Sequence, residues 1–410
     1  MIVIFDDYCP FCDNSSFLST ELTELSKFGE KIVIYPFTGP DNIAEVSKNI
    51  PQNIILRSVA YKKNSIAKTI VCAVKSFYRT QFLSDLGEIL QKGITIRKIY
   101  SAYIATLKTE LYFENIKDDL KKYCKDNEEI IFYSYWMYLN ACVASRCKLK
   151  YRFSKFITRA HGYDLYEERS EISFLPARKV IFNSADAIYP VSKQGEQYLC
   201  RKYSYLEKSK VTSIYLGTFD HGINNISSKK KRIVSCSNIV PVKRINLLVS
   251  ALSLIKDIEI EWVHYGDGSS HDEIQAMADL LLSSNIRYSL VGEIPNKELM
   301  KVFKKQEISY LINVSESEGL PVSIMESMSF GIPVIATDVG GVNEIVENKK
   351  NGYLINKDVS PEELAYCIRF ALNIPEDEYK ELKTSARVTW ENKFDACKNF
   401  ASFYEKIHNI

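Results

Sequence analysis

The sequence predicts an α/β protein with two doubly wound parallel sheets, and three observations support this fold class. The chain has 410 residues, which favours two domains over one compact core. Its first half alternates helical patterns with short apolar runs typical of strands: MIVIF, KIVIYPF, IIFYSYW, KFITRAHGYDLY, AIYPVS and KVTSIYLGTF. The second half restarts this alternation with RIVSCSNI, IEWVHYG, IRYSLVG, ISYLINVS and PVIATD. Strands that alternate with helices form parallel sheets covered on both faces, so we expect one such sheet in each half.

A polar stretch between the two halves marks the predicted domain boundary. Residues 220–231 lack apolar periodicity and are predicted to form a linker. We therefore expect domains over residues 1–219 and 232–387, each with a crevice at the carboxyl ends of its strands. The last stretch, residues 388–410, has the pattern of one long amphipathic helix, which we expect to pack back on the first domain.

The composition argues against several classes of function. The chain carries 53 Lys and Arg against 51 Asp and Glu, whereas a general nucleic-acid binder would show a strong basic excess. No apolar run approaches the ~20 residues of a membrane span, and the first apolar run is too short for a signal peptide. Ten cysteines scattered singly are typical of reduced thiols. We expect a cytoplasmic protein that does not bind nucleic acid.

A Cys-Pro-Phe-Cys motif follows the first predicted strand. Cys9 and Cys12 precede a helical pattern, and a helix N-terminus activates a thiol by lowering its pKa. A thioredoxin-like domain would need its own small sheet ending near residue ~100, but here the alternation of strands and helices continues without a break. Thiol oxidoreductase activity is therefore a remote alternative, and we interpret the motif as incidental.

Residues 312–346 contain the most informative motif, INVSESEGLPVSIMESMSFGIPVIATDVGGVNEIV. A strand is followed by a loop and then by a short helix, with Pro321 predicted at the first helical position, where its missing N–H costs nothing. The N–H groups at this helix start and the helix dipole predict an anion site. Glu318 and Glu326 flank this site and are suited to accept hydrogen bonds from the hydroxyls of a ribose and a sugar ring. The alternative is that both are ordinary surface glutamates.

The interval of seven residues between Glu318 and Glu326, inside SESEGLPVSIMESMSFGIPVIATDVGG, resembles the signature of retaining glycosyltransferases of the GT-B fold, family 4. The resemblance continues in the second half through SCSNIVPVKRINLLVSAL, VHYGDGS and LVGEIPNKEL, and in the first half through TRAHGYDLYEER, IYPVSKQGEQYL and YLGTF. RAHGYDLYEER with YLGTF is similar to the bacterial subset that builds capsule, exopolysaccharide or O-antigen chains. The resemblance implies two Rossmann-like domains facing a central cleft, with the acceptor on the first and the nucleotide-sugar donor on the second.

The resemblance also implies roles for residues of the second domain. Glu326 would bind the ribose hydroxyls, Glu318 would bind the transferred sugar, and the charge of Lys243 in VPVKR would stabilise the departing diphosphate. The main chain would hold the distal phosphate and sugar at one loop and touch the base at another: Gly319, Leu320, Pro321 and Val322 in the first, Gly292, Glu293 and Ile294 in the second.

Three further sites follow from the comparison with this family. Asn238 stands where the family usually has an arginine, which weakens the predicted diphosphate clamp, and Arg244 is the candidate to compensate. In the first domain, His161 of the AHG sequence would donate toward the sugar or the leaving phosphate. The serine-rich start of the first helix is the candidate acceptor or phosphate loop, with Asn14, Ser15 and Ser16.

The reaction implied is transfer of a hexose from a nucleotide-diphosphate sugar, UDP- or GDP-linked, with retention of anomeric configuration. The acceptor implied is a growing bacterial surface glycan linked to a lipid. We expect neither a cofactor nor a metal ion, because no Asp-x-Asp tract stands at a strand end. Two alternatives stay open: a catalytically silent GT-B partner subunit, which Asn238 favours, and a sugar-nucleotide epimerase on the same architecture.

A basic, aromatic run at residues 145–156, SRCKLKYRFSKF, predicts peripheral contact with the cytoplasmic face of the membrane. Its charges are Lys148, Lys150, Arg152 and Lys155. Runs of this kind are more often ordinary flanks of a strand.

Overall fold

The chain folds as two compact units in a computed structural model that describes residues 1–11, 18–39, 50–59, 63–124, 129–151, 153–224 and 231–410. Unit 1 comprises Met1–Ile214 and Phe400–Ile410, and unit 2 comprises Tyr215–Asn399. Residues 215–219, which were expected in the first domain, and residues 220–224 of the expected linker therefore lie in unit 2.

Unit 1 contains a parallel sheet whose order is β3-β2-β1-β4-β5-β6. Its strands are β1 (Ile2–Asp6), β2 (Ile32–Pro36), β3 (Ile54–Leu56), β4 (Ile130–Ser134), β5 (Ser154–Ala160) and β6 (Ala187–Pro190). Apolar sequences such as IVIFD and IIFYS are buried throughout, as expected for strands covered on both faces. The strand order reverses between β1 and β4, so the carboxyl ends of these two strands flank the crevice where such sheets bind ligands.

The helices of unit 1 cover the two faces of this sheet. They are α1 (Leu18–Ser26), α2 (Ile66–Ser76), α3 (Thr80–Lys92), α4 (Ile96–Leu120), α5 (Leu139–Lys150), α6 (Arg178–Ser184) and α7 (Lys193–Lys202), with short 3-10 turns at Glu167–Arg169 and Lys208–Lys210. Val3 and Phe5 of β1 join one apolar core with α4 and α5. Ile2 and Ile4 join the opposite core with α1 and the last helix, because successive side chains of a strand point to opposite faces.

Unit 2 repeats the same topology, with the order β12-β11-β10-β7-β8-β9. Its strands are β7 (Arg232–Cys236), β8 (Ile260–Tyr265), β9 (Ile286–Leu290), β10 (Tyr310–Asn313), β11 (Val334–Thr337) and β12 (Gly352–Ile355). Its helices are α8 (Ile245–Leu254), α9 (His271–Leu281), α10 (Asn296–Lys305), α11 (Val322–Ser329), α12 (Val342–Ile345), α13 (Pro361–Ala371) and α14 (Glu376–Lys393), with a 3-10 turn at Pro241–Lys243. Here the order reverses between β7 and β10, which places the second crevice at the ends of these strands.

Two predicted elements differ from those in the structure. The stretch KVTSIYLGTF forms only isolated bridges, at Val211 and Thr218, because the chain leaves the first sheet there. The single helix expected over residues 388–410 is interrupted: α14 ends at Lys393 and α15 (Ala396–His408) begins after a two-residue break. The backbone of Thr218 causes this break, since it donates to the Phe394 carbonyl and accepts from Ala396 N–H.

The last part of the chain belongs to unit 1. From Phe400 onward, α15 lies among unit 1 residues, and the Phe403 and Ile407 side chains complete the core beside α1. None of the helices in the described ranges is long and apolar enough to cross a membrane.

Candidate functional site

The reversal point of the second sheet brings two charged side chains together. Lys243 ends the 3-10 turn after β7, and Glu318 lies in the loop after β10. Because β7 and β10 are neighbours, both loops lie at the same edge of the sheet. The Lys243 Nζ lies 2.6 Å from Glu318 Oε1, with the glutamate buried and the lysine partly open to solvent. Both residues were predicted individually from the sequence, but their pairing was not.

Two neutral donors hold the same carboxylate oxygen of Glu318. Ser315 Oγ donates to Glu318 Oε1 at 2.6 Å, and Asn313 Nδ2 donates to it at 3.3 Å. Together with Lys243 they fix the orientation of the carboxylate at the sheet edge. Sequence reasoning missed Asn313 and Ser315, although polar residues at the carboxyl end of a buried strand, directly before the glutamate, were a usable signal.

Arg244 supports the loop that carries Glu318. Its guanidinium donates to three main-chain carbonyl oxygens, those of Val314 at 2.7 Å, Ser315 at 3.2 Å and Lys357 at 2.6 Å. Burial lowers the pKa of Arg244. Asn238 is exposed in the loop after β7. The guanidinium of Arg244 is thus bonded to main-chain oxygens, and its compensation for Asn238 stays a prediction.

The loop after β11 closes against the backbone of Glu318. Gly340 has a φ of +55°, and a Cβ there would lie 1.9 Å from the Glu318 carbonyl oxygen, so only glycine fits. Gly341 N donates to Gly319 O at 2.7 Å, and Thr337 Oγ1 donates to Ser315 O at 2.6 Å. The VGG sequence of the motif therefore supports the Glu318 loop from the neighbouring strand, a role that was not predicted from the sequence.

The backbone after Glu318 presents donors at the start of α11. Pro321 stands one residue before the first helical residue, Val322, rather than at the first helical position. Within the described part of the chain, no acceptor is bonded to the N–H groups of Gly319, Leu320, Val322 and Ser323. These donors, the positive end of the helix dipole and the Lys243 ammonium form an arrangement suited to an anion.

Glu326 lies in α11 beside the end of β7. Its Oε1 accepts a hydrogen bond from Asn296 Nδ2 at 2.7 Å. Burial raises the pKa of Glu326 to about 7, against the opposing effect of that hydrogen bond. Burial and the nearby Glu326 charge raise the pKa of Cys236, the last residue of β7, to about 12. Hydrogen bonds from ligand hydroxyl groups would stabilise the charged form of a carboxylate in this environment.

The loop predicted to touch the base leads into α10, and the first residue of α10 bonds Glu326 of α11. Gly292, with a φ of +81°, accepts a hydrogen bond from Gly266 N at 2.9 Å, which ties the loops after β8 and β9 together. Glu293 is exposed and Ile294 is half-buried. Two residues further on, Asn296 begins α10 and bonds Glu326. The base loop and Glu326 are therefore part of one connected region of unit 2.

His161 lies at the carboxyl end of β5 in unit 1. Asp164 orients its backbone, accepting hydrogen bonds from the N–H groups of His161 and Gly162, both at 2.9 Å. The imidazole Nδ1 is 3.8 Å from Asp164 Oδ2, and the ring packs on Trp136 at 4.4 Å between centroids. The ring is buried, and neither of its nitrogen atoms has a hydrogen-bond partner within the described ranges. Asp164 and Trp136 thus fix the position of the imidazole.

Acidic and aromatic side chains surround His161 at the reversal point of the first sheet. Asp6, which ends β1, accepts from Trp136 Nε1 at 2.8 Å, and Tyr163 donates to Asp7 Oδ2 at 2.6 Å. Burial and the charge of Asp7 raise the pKa of Asp6 to about 8. Burial also raises the pKa of Asp7, opposed by the Tyr163 hydrogen bond. The sequence analysis did not assign Asp6 or Asp7 to this site.

Part of the predicted first-domain loop cannot be placed. Asn14, Ser15, Ser16 and Cys12 lie outside the described residues. Cys9 is buried beside β1, with its Sγ 3.5 Å from the Pro10 carbonyl oxygen. The interpretation of the Cys-Pro-Phe-Cys motif therefore stays a prediction.

The basic run at residues 145–156 has its lysines in contacts inside unit 1. Lys148 Nζ lies 2.5 Å from Asp186 Oδ1, and Lys155 pairs with Glu129 at 2.8 Å. Lys150 lies over the Phe113 ring at 5.8 Å, and Arg152 is outside the described residues. The membrane contact predicted for this run stays a prediction.

No group of three or more His, Cys, Asp or Glu residues is arranged to hold a metal ion in the ranges that the structure describes. At the second reversal point, the Lys243 ammonium is paired with the Glu318 carboxylate beside the start of α11.

Two doubly wound sheets with this strand order are the architecture of the GT-B fold. HepE of Anabaena in complex with UDP has the same fold over 100% of both chains, with a TM-score of 0.69 and 14% identity. A point mutant of TarM of S. aureus, in complex with fondaparinux, alpha-GlcNAc-glycerol and UDP, matches 100% of this chain and 99% of its own with a TM-score of 0.71 and 15% identity. The predicted GT-B fold is confirmed.

The second unit carries the match to a known family. Residues 218–389 match the model of the family described as glycosyl transferases group 1. The amylovoran biosynthesis glycosyltransferase AmsK of Erwinia amylovora is 23% identical over 290 residues, which cover 68% of this chain and 70% of AmsK. The predicted likeness to glycosyltransferases is thus confirmed for this part of the chain, while the family 4 subtype and the retaining stereochemistry stay predictions.

Proposed function

We propose that this protein is a glycosyltransferase that moves a hexose from a UDP- or GDP-linked donor to a growing bacterial surface glycan, with retention of configuration. The observation that carries the proposal is the Lys243–Glu318 pair next to the N–H groups that begin α11. An ammonium and helix-end donors suit a diphosphate, and a fixed carboxylate suits sugar hydroxyls. UDP in the complexes of HepE and TarM and the amylovoran pathway of AmsK support the same conclusion.

In this proposal the donor lies along the carboxyl edge of the second sheet. The base is held by the backbone of Gly292, Glu293 and Ile294, and the ribose hydroxyls donate to Glu326. Lys243 and the N–H groups of Gly319, Leu320 and Val322 hold the diphosphate. Glu318, already oriented by Ser315 and Asn313, accepts from hydroxyls of the hexose.

The bond between the anomeric carbon and the phosphate oxygen breaks as the acceptor oxygen attacks on the same face. The leaving phosphate takes the acceptor proton, so a nucleoside diphosphate and a lengthened glycan are the products. Lys243 and the helix-end donors stabilise charge that develops on the leaving group. His161 donates toward the sugar or the leaving phosphate. This scheme assigns no step to a cofactor or a metal ion.

The proposed acceptor is a lipid-linked glycan, which implies work at the cytoplasmic face of the membrane. The cluster at the first reversal point supports an acceptor role for unit 1. Trp136 and Tyr163 offer aromatic surface, and Asp6 and Asp7 offer polar atoms for sugar hydroxyls.

A silent GT-B partner subunit is the second candidate. It is favoured by exposed Asn238 together with Arg244, whose guanidinium is occupied by main-chain oxygens. Only the transferase turns over a nucleotide sugar with a glycan acceptor, and no response to any nucleotide would favour the silent subunit.

Thermal unfolding with a panel of UDP-, GDP- and ADP-sugars tests the donor assignment. A ligand at about 100 times its dissociation constant adds about 2.7 kcal/mol of stability, which is a clear shift of the midpoint. We expect one nucleotide to stand out, and we expect Glu326→Gln to remove most of that shift without lowering the midpoint of the free protein. Glu376→Gln, at an exposed glutamate that starts α14, is the matched control. An unchanged shift in Glu326→Gln would refute the assigned role of Glu326.

The affinity for the nucleotide sugar should also depend on pH through Glu326. Its pKa is raised to about 7, so the carboxylate that accepts ribose hydrogen bonds is lost as the pH falls below that value. The dissociation constant should be about tenfold weaker at about pH 6 than at about pH 8. A nucleotide sugar is the right probe, because its esterified diphosphate does not titrate in this range. Isothermal titration of Glu326→Gln should give a flat profile, and a slope that survives this substitution would assign the effect to another group.

A further inference from the structure

Helix α2 turns its apolar side chains to the solvent. The side chains buried under it are small or polar, namely Cys72 and Ser76, and Lys68 reaches inward to Asn115 of α4. The side chains that point away are much more apolar. Ile66 is 80% exposed, Ile70 is 58% exposed and Val74 is 56% exposed. These three are four residues apart in sequence and follow one stripe of the helix.

This stripe continues past the end of the helix. We call Ile66, Ile70, Val71, Val74, Phe77 and Tyr78 the α2 outer face; Tyr78 is 80% exposed. Phe77 is anchored on Tyr103 of α4, with 4.7 Å between ring centroids, so the outer face is attached to the body of unit 1. The following elements expose further large apolar side chains: Leu83, Leu90, Ile94, Ile96 and Tyr100. An apolar patch of this extent on a water-soluble surface indicates a partner.

The exposed charges of the outer face and of the elements that follow it are basic. Between residues 63 and 109 the only acidic side chains are Asp85 and Glu88, and both are buried. Arg79 is paired with Glu110, and Lys92 is paired with Glu88 and Glu167. Lys63, Lys75 and Arg97 are exposed. The interval therefore combines exposed apolar side chains with exposed cations and no exposed carboxylate.

The exposed apolar side chains and the exposed cations together decide whether a second copy of the chain or a lipid bilayer fits this surface better. Two copies of an all-basic face repel each other, so a homodimer through this surface is disfavoured. An anionic bilayer offers both complements, since the headgroups attract the lysines and the acyl boundary accepts Ile and Val side chains. Helices that lie in a membrane interface have this division between an apolar face and a basic flank.

We propose that the α2 outer face docks unit 1 on an anionic phospholipid bilayer. The surface is distinct from the basic run at residues 145–156, whose lysines are in contacts inside unit 1. The inference rests on the proposed membrane-face location and deepens it by naming the surface and the lipid charge. Its test uses no transferase activity. The membrane proposal can therefore fail while the proposed donor chemistry stands, and the donor chemistry can fail while the membrane proposal stands.

Co-sedimentation with vesicles tests the proposal. We expect the full chain to pellet with phosphatidylcholine vesicles that contain about one third phosphatidylglycerol and to stay in the supernatant with phosphatidylcholine alone or in high salt. The double variant Ile70→Glu/Val74→Glu should bind at least about tenfold more weakly. The control is Leu280→Glu, on the exposed side of α9 in unit 2, where the side chain is 82% exposed.

All the substituted side chains are exposed, so the variants should keep the fold; an unchanged thermal shift with the nucleotide sugar checks this. Equal loss of binding in Leu280→Glu, or no sedimentation with anionic vesicles, would overturn the proposal. Equal binding to neutral vesicles would also overturn it, because the lysines would then be irrelevant. A dimer on size exclusion that Ile70→Glu/Val74→Glu dissociates would assign the face to a second copy of the chain instead.

Discussion

Replacing Lys243 with methionine should lower the kcat for glycosyl transfer by about 10²–10³-fold, because one preorganised charge at a leaving group is worth about 2.7–4 kcal/mol. The Lys243 ammonium is 2.6 Å from Glu318 and is partly open to solvent. It can therefore contact a ligand phosphate without first leaving a buried pair. Methionine keeps much of the length of the side chain and removes only the charge.

The fold should survive this substitution, since Glu318 retains its hydrogen bonds from Ser315 and Asn313. Lys256→Met is the matched control, because Lys256 is exposed and only bonds Ser283. Steady-state kinetics with the nucleotide sugar identified by the thermal panel gives the readout. The KM for the donor should change less than kcat, because the charge matters most as the diphosphate leaves. A kcat within twofold of the parent would show that Lys243 only neutralises Glu318.

The second large effect concerns stability. Arg159 of β5 is fully buried, with its Nε 3.1 Å from Glu21 Oε2 and 2.9 Å from the Tyr133 hydroxyl oxygen. Its guanidinium also lies over the Phe403 ring at 4.2 Å. Replacing Arg159 with methionine leaves the Glu21 carboxylate buried without its cation, and breaking such a pair costs about 3–5 kcal/mol. We expect a lower midpoint in denaturant and loss of amide protection in β4 and β5, with β7 and β10 unaffected.

The pH dependence of this loss has a definite sign. Burial raises the pKa of Glu21 even beside Arg159, and removal of the cation raises it further. When the pKa of a carboxyl group is higher in the folded state than in the unfolded state, its contribution to folding stability falls as the pH rises toward the folded-state pKa. The deficit of Arg159→Met should therefore be smaller at about pH 5 than at about pH 8. Arg201→Met, at an exposed arginine of α7, should be neutral, and Glu21→Leu/Arg159→Met should recover much of the loss. A full-size loss in the double variant would mean that the packing of the guanidinium, not its charge, is what matters.

Much of the second unit was predictable because its signals are local. Apolar runs ended by Gly, Pro and polar residues mark β7, β10, β11 and the start of α11, and a doubly wound order places the first two side by side. Glu318 could thus be named from its motif, and Lys243 was named from the resemblance to the glycosyltransferase family. Their contact depends on which strands are neighbours, and strand order is a property of the whole sheet. The same limit explains why Asn313, Ser315 and Gly340 were missed.

Other features depend on which side of an element meets the core. Helix α2 is an example. Periodicity cannot reveal that Cys72 and Ser76 point inward while Ile70 and Val74 point outward. Arg244 reads as a free cation beside the site, yet three carbonyl oxygens from distant loops accept its hydrogen bonds.

The order of residues in this chain was enough to predict two α/β units and an anion site at a helix start, and to show a resemblance to glycosyltransferases, because these signals lie within short stretches of sequence. Only the fold revealed which side of α2 is exposed and which residues pair: Lys243 with Glu318, Glu326 with Asn296, and Arg159 with Glu21. These contacts join residues from different strands and helices. Burial and hydrogen bonding are set by the neighbours that packing supplies, and a linear pattern does not contain those neighbours.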